Sequence, residues 1–149
     1  MKLTTITPKI TLNKAYLKEQ IKRSDIETFK DNFKILFERL NASEKESEEF
    51  YKNIVSDFLK NTFYTPQYEI NTKGREDLVI HTGKTTKDSV GVIFETKKPN
   101  SSEMLTDAKP NVKALHQLIF YYLQERIDHK NIEVKHWRVK LHNFSSPHF

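Results

Sequence analysis

An apolar run, Val90-Gly91-Val92-Ile93-Phe94, ends in Glu95-Thr96-Lys97: an acid, one spacer and a base. Residues two apart on a strand point to the same face. Glu95 and Lys97 are therefore expected to emerge together at the strand's end. Upstream, Asp77 opens a second apolar run, Leu78-Val79-Ile80. The polar stretch 81–89 between the two runs, with Gly83 and Asp88, reads as a hairpin connection. In a hairpin the start of the first strand lies beside the end of the second, so Asp77, Glu95 and Lys97 are expected to meet. Such a set suits phosphodiester hydrolysis. Asp77 and Glu95 would hold Mg²⁺ or Mn²⁺, hard cations that prefer oxygen ligands and keep several waters. The carbonyl of Thr96 would complete the shell. Lys97 would orient or deprotonate the attacking water, or neutralise charge on the phosphate.

The tripeptide alone carries little weight. Asp107-Ala108-Lys109, Asp128-His129-Lys130 and Glu133-Val134-Lys135 repeat the acid–x–lysine pattern in a chain that is 30% charged. Only Glu95-Thr96-Lys97 follows an apolar run and has an Asp at the head of the preceding one. The plain alternative is a surface salt bridge at a strand end, worth about 1 kcal/mol at most.

The elements that must position these residues follow from periodicity. Residues 1–12 read as an extended arm, with Pro8 opposing a helix. A helix is expected from Asn13, with Ala15, Leu17 and Ile21 on its apolar side and a break near Ser24-Asp25. Ile26, Phe29, Phe33, Leu36, Phe37 and Leu40 then recur at helical spacing and read as a core-packing face. After a polar connection, Ser43 or Ser47 would cap a helix bearing Tyr51, Ile54, Val55 and Phe58 on one side. Glu48 falls on the edge of that face, either as a metal ligand or simply as a favourable acid at a helix N-terminus. Residues 68–71 read as a first strand, followed by a turn into the Asp77 strand. After Pro99 a polar loop reaches a helix from about Val112. Its main stripe is Val112, Leu115, Ile119, Tyr122 and Leu123. Lys113, Gln117, Tyr121 and Gln124 lie on another side, with Phe120 near them, so both sides are expected to be covered. Residues from Val134 alternate like a strand, and 143–149 read as a frayed tail.

Composition bounds the answer. A chain of 149 residues with 36% hydrophobic content suits a single domain spanning 1–149. With no cysteine there is no disulfide and no Cys-based zinc site. No Gly-rich nucleotide loop is present. The N-terminus lacks a signal peptide's apolar core, and no run approaches a transmembrane helix, so a cytoplasmic protein without a membrane partner is expected. A net charge of +5 fits a polyanionic partner such as DNA, although lysine-rich chains are often basic without binding it.

Asp77 with Glu95-Thr96-Lys97 resembles the PD-(D/E)xK nuclease signature, with Glu76 where the name has Pro. Gln117-Leu118-Ile119-Phe120-Tyr121 resembles the QxxxY motif of RecB-type nucleases. Several blocks in order resemble the N-terminal nuclease region of type IIG restriction enzymes: Leu12-Asn13-Lys14-Ala15-Tyr16-Leu17; Glu48-Glu49-Phe50-Tyr51-Lys52-Asn53 with Asp57-Phe58-Leu59; Asn71-Thr72-Lys73-Gly74-Arg75; Glu95-Thr96-Lys97-Lys98-Pro99; and Leu123-Gln124-Glu125-Arg126. Those enzymes are single chains that fuse an endonuclease to an adenine-specific DNA methyltransferase and a target-recognition region.

The resemblance implies an α/β fold, specifically a mixed α+β sheet with a restriction-endonuclease-like αβββαβ core behind N-terminal helices. It implies a Mg²⁺-dependent deoxyribonuclease. Asp77, Glu95, Lys97, Gln117 and Tyr121 would be catalytic, and Asp77, Glu95, Thr96 and Glu48 would surround the metal. Lys73, Arg75, Lys98 and Lys113, with Lys109, would meet DNA phosphates. Two features depart from the family. The segment His136-Trp137-Arg138-Val139-Lys140 is more basic than the family's core strand, which makes 136–149 an atypical tail. No Asn-Pro-Pro-Tyr-type or cofactor-binding Gly motif is present. An isolated or truncated nuclease domain is expected, separated from the methyltransferase and specificity region that normally shares its chain. Two other readings remain: a catalytically inactive DNA-binding fragment, or a RecB-like repair exonuclease.

Overall fold

The computed structural model describes residues 10, 14–15, 18–42, 46–72, 78–98, 101–103, 106, 108–109 and 111–140, with backbone only for 135–140. The chain is mixed α+β. In order it forms α1 (Arg23–Asn41), α2 (Glu48–Leu59) continued by a π-helical segment (Lys60–Tyr64), β1 (Ile70–Asn71), β2 (Leu78–His81), β3 (Val90–Lys97), α3 (Lys113–Ile127) and β4 (Lys135–Lys140). The sheet order is β1-β2-β3-β4. β1 and β2 are antiparallel, as are β2 and β3, and β4 runs parallel to β3.

β3 is the sheet's long inner strand. Its β-branched run suits a pleated surface covered on both sides. On one side Phe94, Leu78, Ile80 and Ile70 pack against Tyr51 and Val55 of α2. On the other, Ile93, Val90 and Val79 pack against Leu118 and Tyr121 of α3, with Val134. The alternation of Ile93 and Phe94 between the two layers is the strand period at work. Each fully buried Leu or Ile in these layers contributes roughly 1.5–3 kcal/mol. The hairpin expected between β2 and β3 is present, and its register sets Leu78 opposite Phe94.

Local chemistry explains the helix ends. Ser47 caps α2, its Oγ accepting from the Phe50 amide at 3.1 Å, and Glu48 and Glu49 fill the first turn, where negative charge is favoured. In the β2–β3 loop the Asp88 carboxylate accepts from the amide and hydroxyl of Thr85. Those bonds hold its carboxyl below the usual carboxylate range.

Three expectations are corrected. The helix awaited from Asn13 does not run through 19–22; α1 begins at Arg23. Lys22 stands at the cap position of α1, without a side-chain cap bond. The aromatic stripe of α1 is only partly a core face. Leu36 alone is buried and Phe29 remains 39% exposed, because α2 and the π segment meet the stripe through the edges of Phe58 and Phe63. On α3 the buried face is Ala114, Leu115, Leu118, Tyr121 and Glu125, while Leu123, assigned to the main stripe, is 46% exposed. With apolar residues on both sides of the helix, the wheel did not fix which side met the sheet. The strand expected from Val134 is present: Lys135–Lys140 pair with β3 from Val92 to Lys97. Ile10 is the one described residue of the expected arm 1–12, and the frayed tail expected at 143–149 lies outside the described residues. Among the described residues no helix is long and apolar enough to cross a membrane.

The turn after α3 places Lys130 at φ 54°, the left-handed region that costs a side-chain-bearing residue about 1 kcal/mol or more. Lys130→Gly is expected to raise stability by roughly 0.5–1 kcal/mol, read as a higher denaturant midpoint at unchanged slope.

Candidate active site

Glu95 and Lys97 are the last acid and last base of β3, and both are withdrawn from water, at 0% and 4% exposure. The Lys97 ammonium lies 2.6 Å from Glu95 Oε1. It also donates to Glu48 Oε1, at 3.0 Å, from the first turn of α2. Thr96 between them is fully buried. One nitrogen thus joins the end of β3 to the N-terminus of α2, and two carboxylates converge on the position of one cation. Glu48 is 40% exposed, which leaves the group open to solvent on that side.

Burying these charges is not a route to stability. Desolvation costs several kcal/mol per ion, and an apolar pair of similar volume usually serves as well or better. A buried, like-charge-rich cluster at the end of a central strand is the arrangement from which reactive groups are built.

The remaining sequence-derived residues distribute as follows. Asp77 lies outside the described residues, as do Lys73 and Arg75. The residue after Asp77, Leu78, pairs with the residue before Glu95, Phe94. The strand alternation aims Glu95, like Ile93, at the α3 layer. On α3, Gln117 is half-buried, and its Oε1 is buried without a hydrogen-bond partner among the described residues. Such a group costs roughly 1–3 kcal/mol and calls for a reason. Thr62 Oγ1 has the same status away from the site, so the property is not unique to it. Tyr121 is 7% exposed and packs among Val79, Ile93 and Leu118, as a core ring. Lys98 is exposed just beyond the site, and Lys109 is exposed on the loop. Lys113 is exposed at the start of α3, where it meets Glu103 at 3.4 Å. His81, at the other end of the β2–β3 pair, is structural: its ring nitrogens contact the Asp88 carbonyl at 2.7 Å and Asn71 Oδ1 at 2.9 Å.

The donor set fits a hard divalent cation in part. Glu95 and Glu48 supply carboxylate oxygens that already surround a monovalent ammonium. Among the described residues, no group of three or more His, Asp or Glu side chains forms a complete metal site. The link between Lys97 and Glu48 was the contact sequence reasoning did not draw. Its only signal was Glu48's place on the inner edge of the α2 wheel.

A family described as a domain of unknown function, DUF7149, matches residues 6–139. Comparison with curated proteins and with solved structures returns no match.

If Glu95 and Lys97 are kept for chemistry, removing one strands the other. Glu95→Leu is expected to cost about 3 kcal/mol or more, because the buried Lys97 ammonium loses the carboxylate 2.6 Å from it. The double variant Glu95→Leu with Lys97→Met is expected to recover most of that loss. Denaturant unfolding of the four-member cycle measures it.

Proposed function

The chain belongs to the DUF7149 family, and we propose from its own residues that it is a metal-dependent DNA endonuclease domain of the PD-(D/E)xK type, as in type IIG restriction enzymes. The observation that carries the reading is the Lys97 ammonium held between Glu95 and Glu48 at the end of β3. The order of elements supports it: two helices, an antiparallel strand run, a helix, then a strand parallel to β3. So does the register that pairs Leu78 with Phe94, since Asp77 and Glu95 are the neighbours of that pair.

The roles follow from charge and position. Glu95, Asp77, the Thr96 carbonyl and, from α2, Glu48 are the groups that would hold Mg²⁺. When bound, that ion supplies Lewis acidity and a water of lowered pKa. Lys97 places a positive charge, desolvated and pre-oriented by Glu95, where the phosphate's developing charge needs it. Glu95 keeps the ammonium aimed along the strand end. Gln117, with an amide oxygen not yet engaged, would accept a hydrogen bond from a water or from a group on the substrate. Tyr121 supports Gln117 from one turn further along α3 by packing on Ile93. Lys98 and Lys113, with Lys73, Arg75 and Lys109, would contact phosphates, giving affinity without sequence preference. Recognition of a particular sequence would come from a methyltransferase and specificity region of the type IIG kind.

Purified chain incubated with supercoiled plasmid is expected to nick and linearise it with Mg²⁺ or Mn²⁺, and not with EDTA. Lys97→Ala and Asp77→Ala are each expected to lower the rate by about 100-fold or more while circular dichroism stays native. An absence of cleavage with either metal, together with metal-independent and salt-sensitive DNA binding, would instead make the chain a non-catalytic DNA-binding fragment. A requirement for free DNA ends would mark an exonuclease.

A further inference from the structure

The end of β3 remote from Glu95 carries a second buried polar group. Glu125, in the last turn of α3, is 1% exposed. Its Oε1 accepts from His129 Nδ1 at 2.8 Å, and its Oε2 accepts from the Asn131 side-chain amide at 3.3 Å. The same Asn131 nitrogen donates to the carbonyl of Val90, the first residue of β3, at 2.7 Å. The Asn131 backbone amide donates to the Glu125 carbonyl at 3.0 Å. One amide group therefore ties the C-terminus of the helix to the start of the strand. Lys130, just before it, adopts a left-handed conformation at φ 54°, which persists where surrounding bonds over-determine it.

This connection fixes direction as well as distance. Because Glu125 lies over Val90, α3 runs back along β3, and its earlier turns lie toward Glu95. The strand advances about 3.3 Å per residue, so Glu95 is roughly 17 Å from Val90. The helix rises 1.5 Å per residue, so Gln117 is roughly 12 Å back from Glu125. Between these ends Leu118 and Tyr121 grip Ile93. Apolar side chains resist separation but tolerate sliding, whereas a bridging amide with set donors and acceptors does not.

We propose that Glu125 and Asn131 are positioning residues: they set the register of α3 along β3 and thereby the place of the Gln117 amide relative to Glu95. The catalytic consequence rests on the nuclease reading; the structural consequence does not. Neither residue touches the reacting groups. Each acts through the helix, and His129 orients the carboxylate from its exposed side.

The test compares Asn131→Ala and Glu125→Gln with Leu36→Ala, a truncation of the buried residue of α1, in the full ¹⁵N-labelled chain. The Gln117 side-chain NH₂ and the backbone amides of Glu95, Thr96 and Lys97 are expected to shift in both latch variants and to stay in place in Leu36→Ala. With plasmid and Mg²⁺, kcat is expected to fall about tenfold or more while KM for DNA changes little. The proposal is overturned if the latch variants are destabilised yet leave the Gln117 and Glu95 signals unmoved. It is also overturned if those signals move and kcat does not. Should Asn131→Ala fail to fold, Glu125→Gln, which keeps the side chain's shape, decides by the same signals. If the wild-type chain cuts no DNA, the nuclease reading fails and the amide shifts alone decide the latch.

Discussion

The structure turns on the ammonium of Lys97, buried between Glu95 of its own strand and Glu48 of α2. This contact joins β3 to the N-terminus of α2, beside the apolar packing of Phe94, Tyr51 and Val55. It is also a costly contact to assemble, because Glu95 and Lys97 give up water together. Hydrophobic packing of Phe94, Leu78 and Tyr51 on one side and of Ile93, Leu118 and Tyr121 on the other accounts for the fold without it. What the packing does is hold the strand's end still, so that the charges keep their geometry.

The two ends of β3 make a consistent whole. At one end are the converging carboxylates and the lysine. At the other, Glu125 and Asn131 tie the helix to the strand's first carbonyl. α3 spans the distance between them and presents Gln117, whose amide oxygen has no partner among the described residues. A helix held at its far end and packed at its middle is a rigid arm, which is what the role proposed for the Gln117 amide requires.

Much of the site was legible because strand periodicity is simple. Glu95 and Lys97, two apart after an apolar run, had to share a face, and Gly83 and Asp88 marked the turn that pairs Leu78 with Phe94. The helices were less legible. α3 is apolar on both sides, and its pattern put Leu123 in the main stripe; packing on Ile93 instead makes Leu118 the inner residue. Glu125 was hidden because a charged residue in a helix is assumed to face water, although it follows Leu118 and Tyr121 by seven and four residues on the buried face. The stripe of α1 was legible as a pattern, but its burial was not, since that depends on how far α2 and the π segment extend along it. Three-dimensional partners, not local preference, decided each of these.

The central claim is that Glu95 and Asp77 form a divalent-cation site beside Lys97. It is tested most directly by crystals of the chain soaked in Mn²⁺, with the anomalous signal locating the ion. A peak is expected within coordination distance of the Glu95 carboxylate and the Asp77 carboxylate, with the Lys97 ammonium displaced from Glu95 toward the open side. A saturating soak that leaves no peak beside Glu95, with Lys97 still held between the two glutamates, would contradict it.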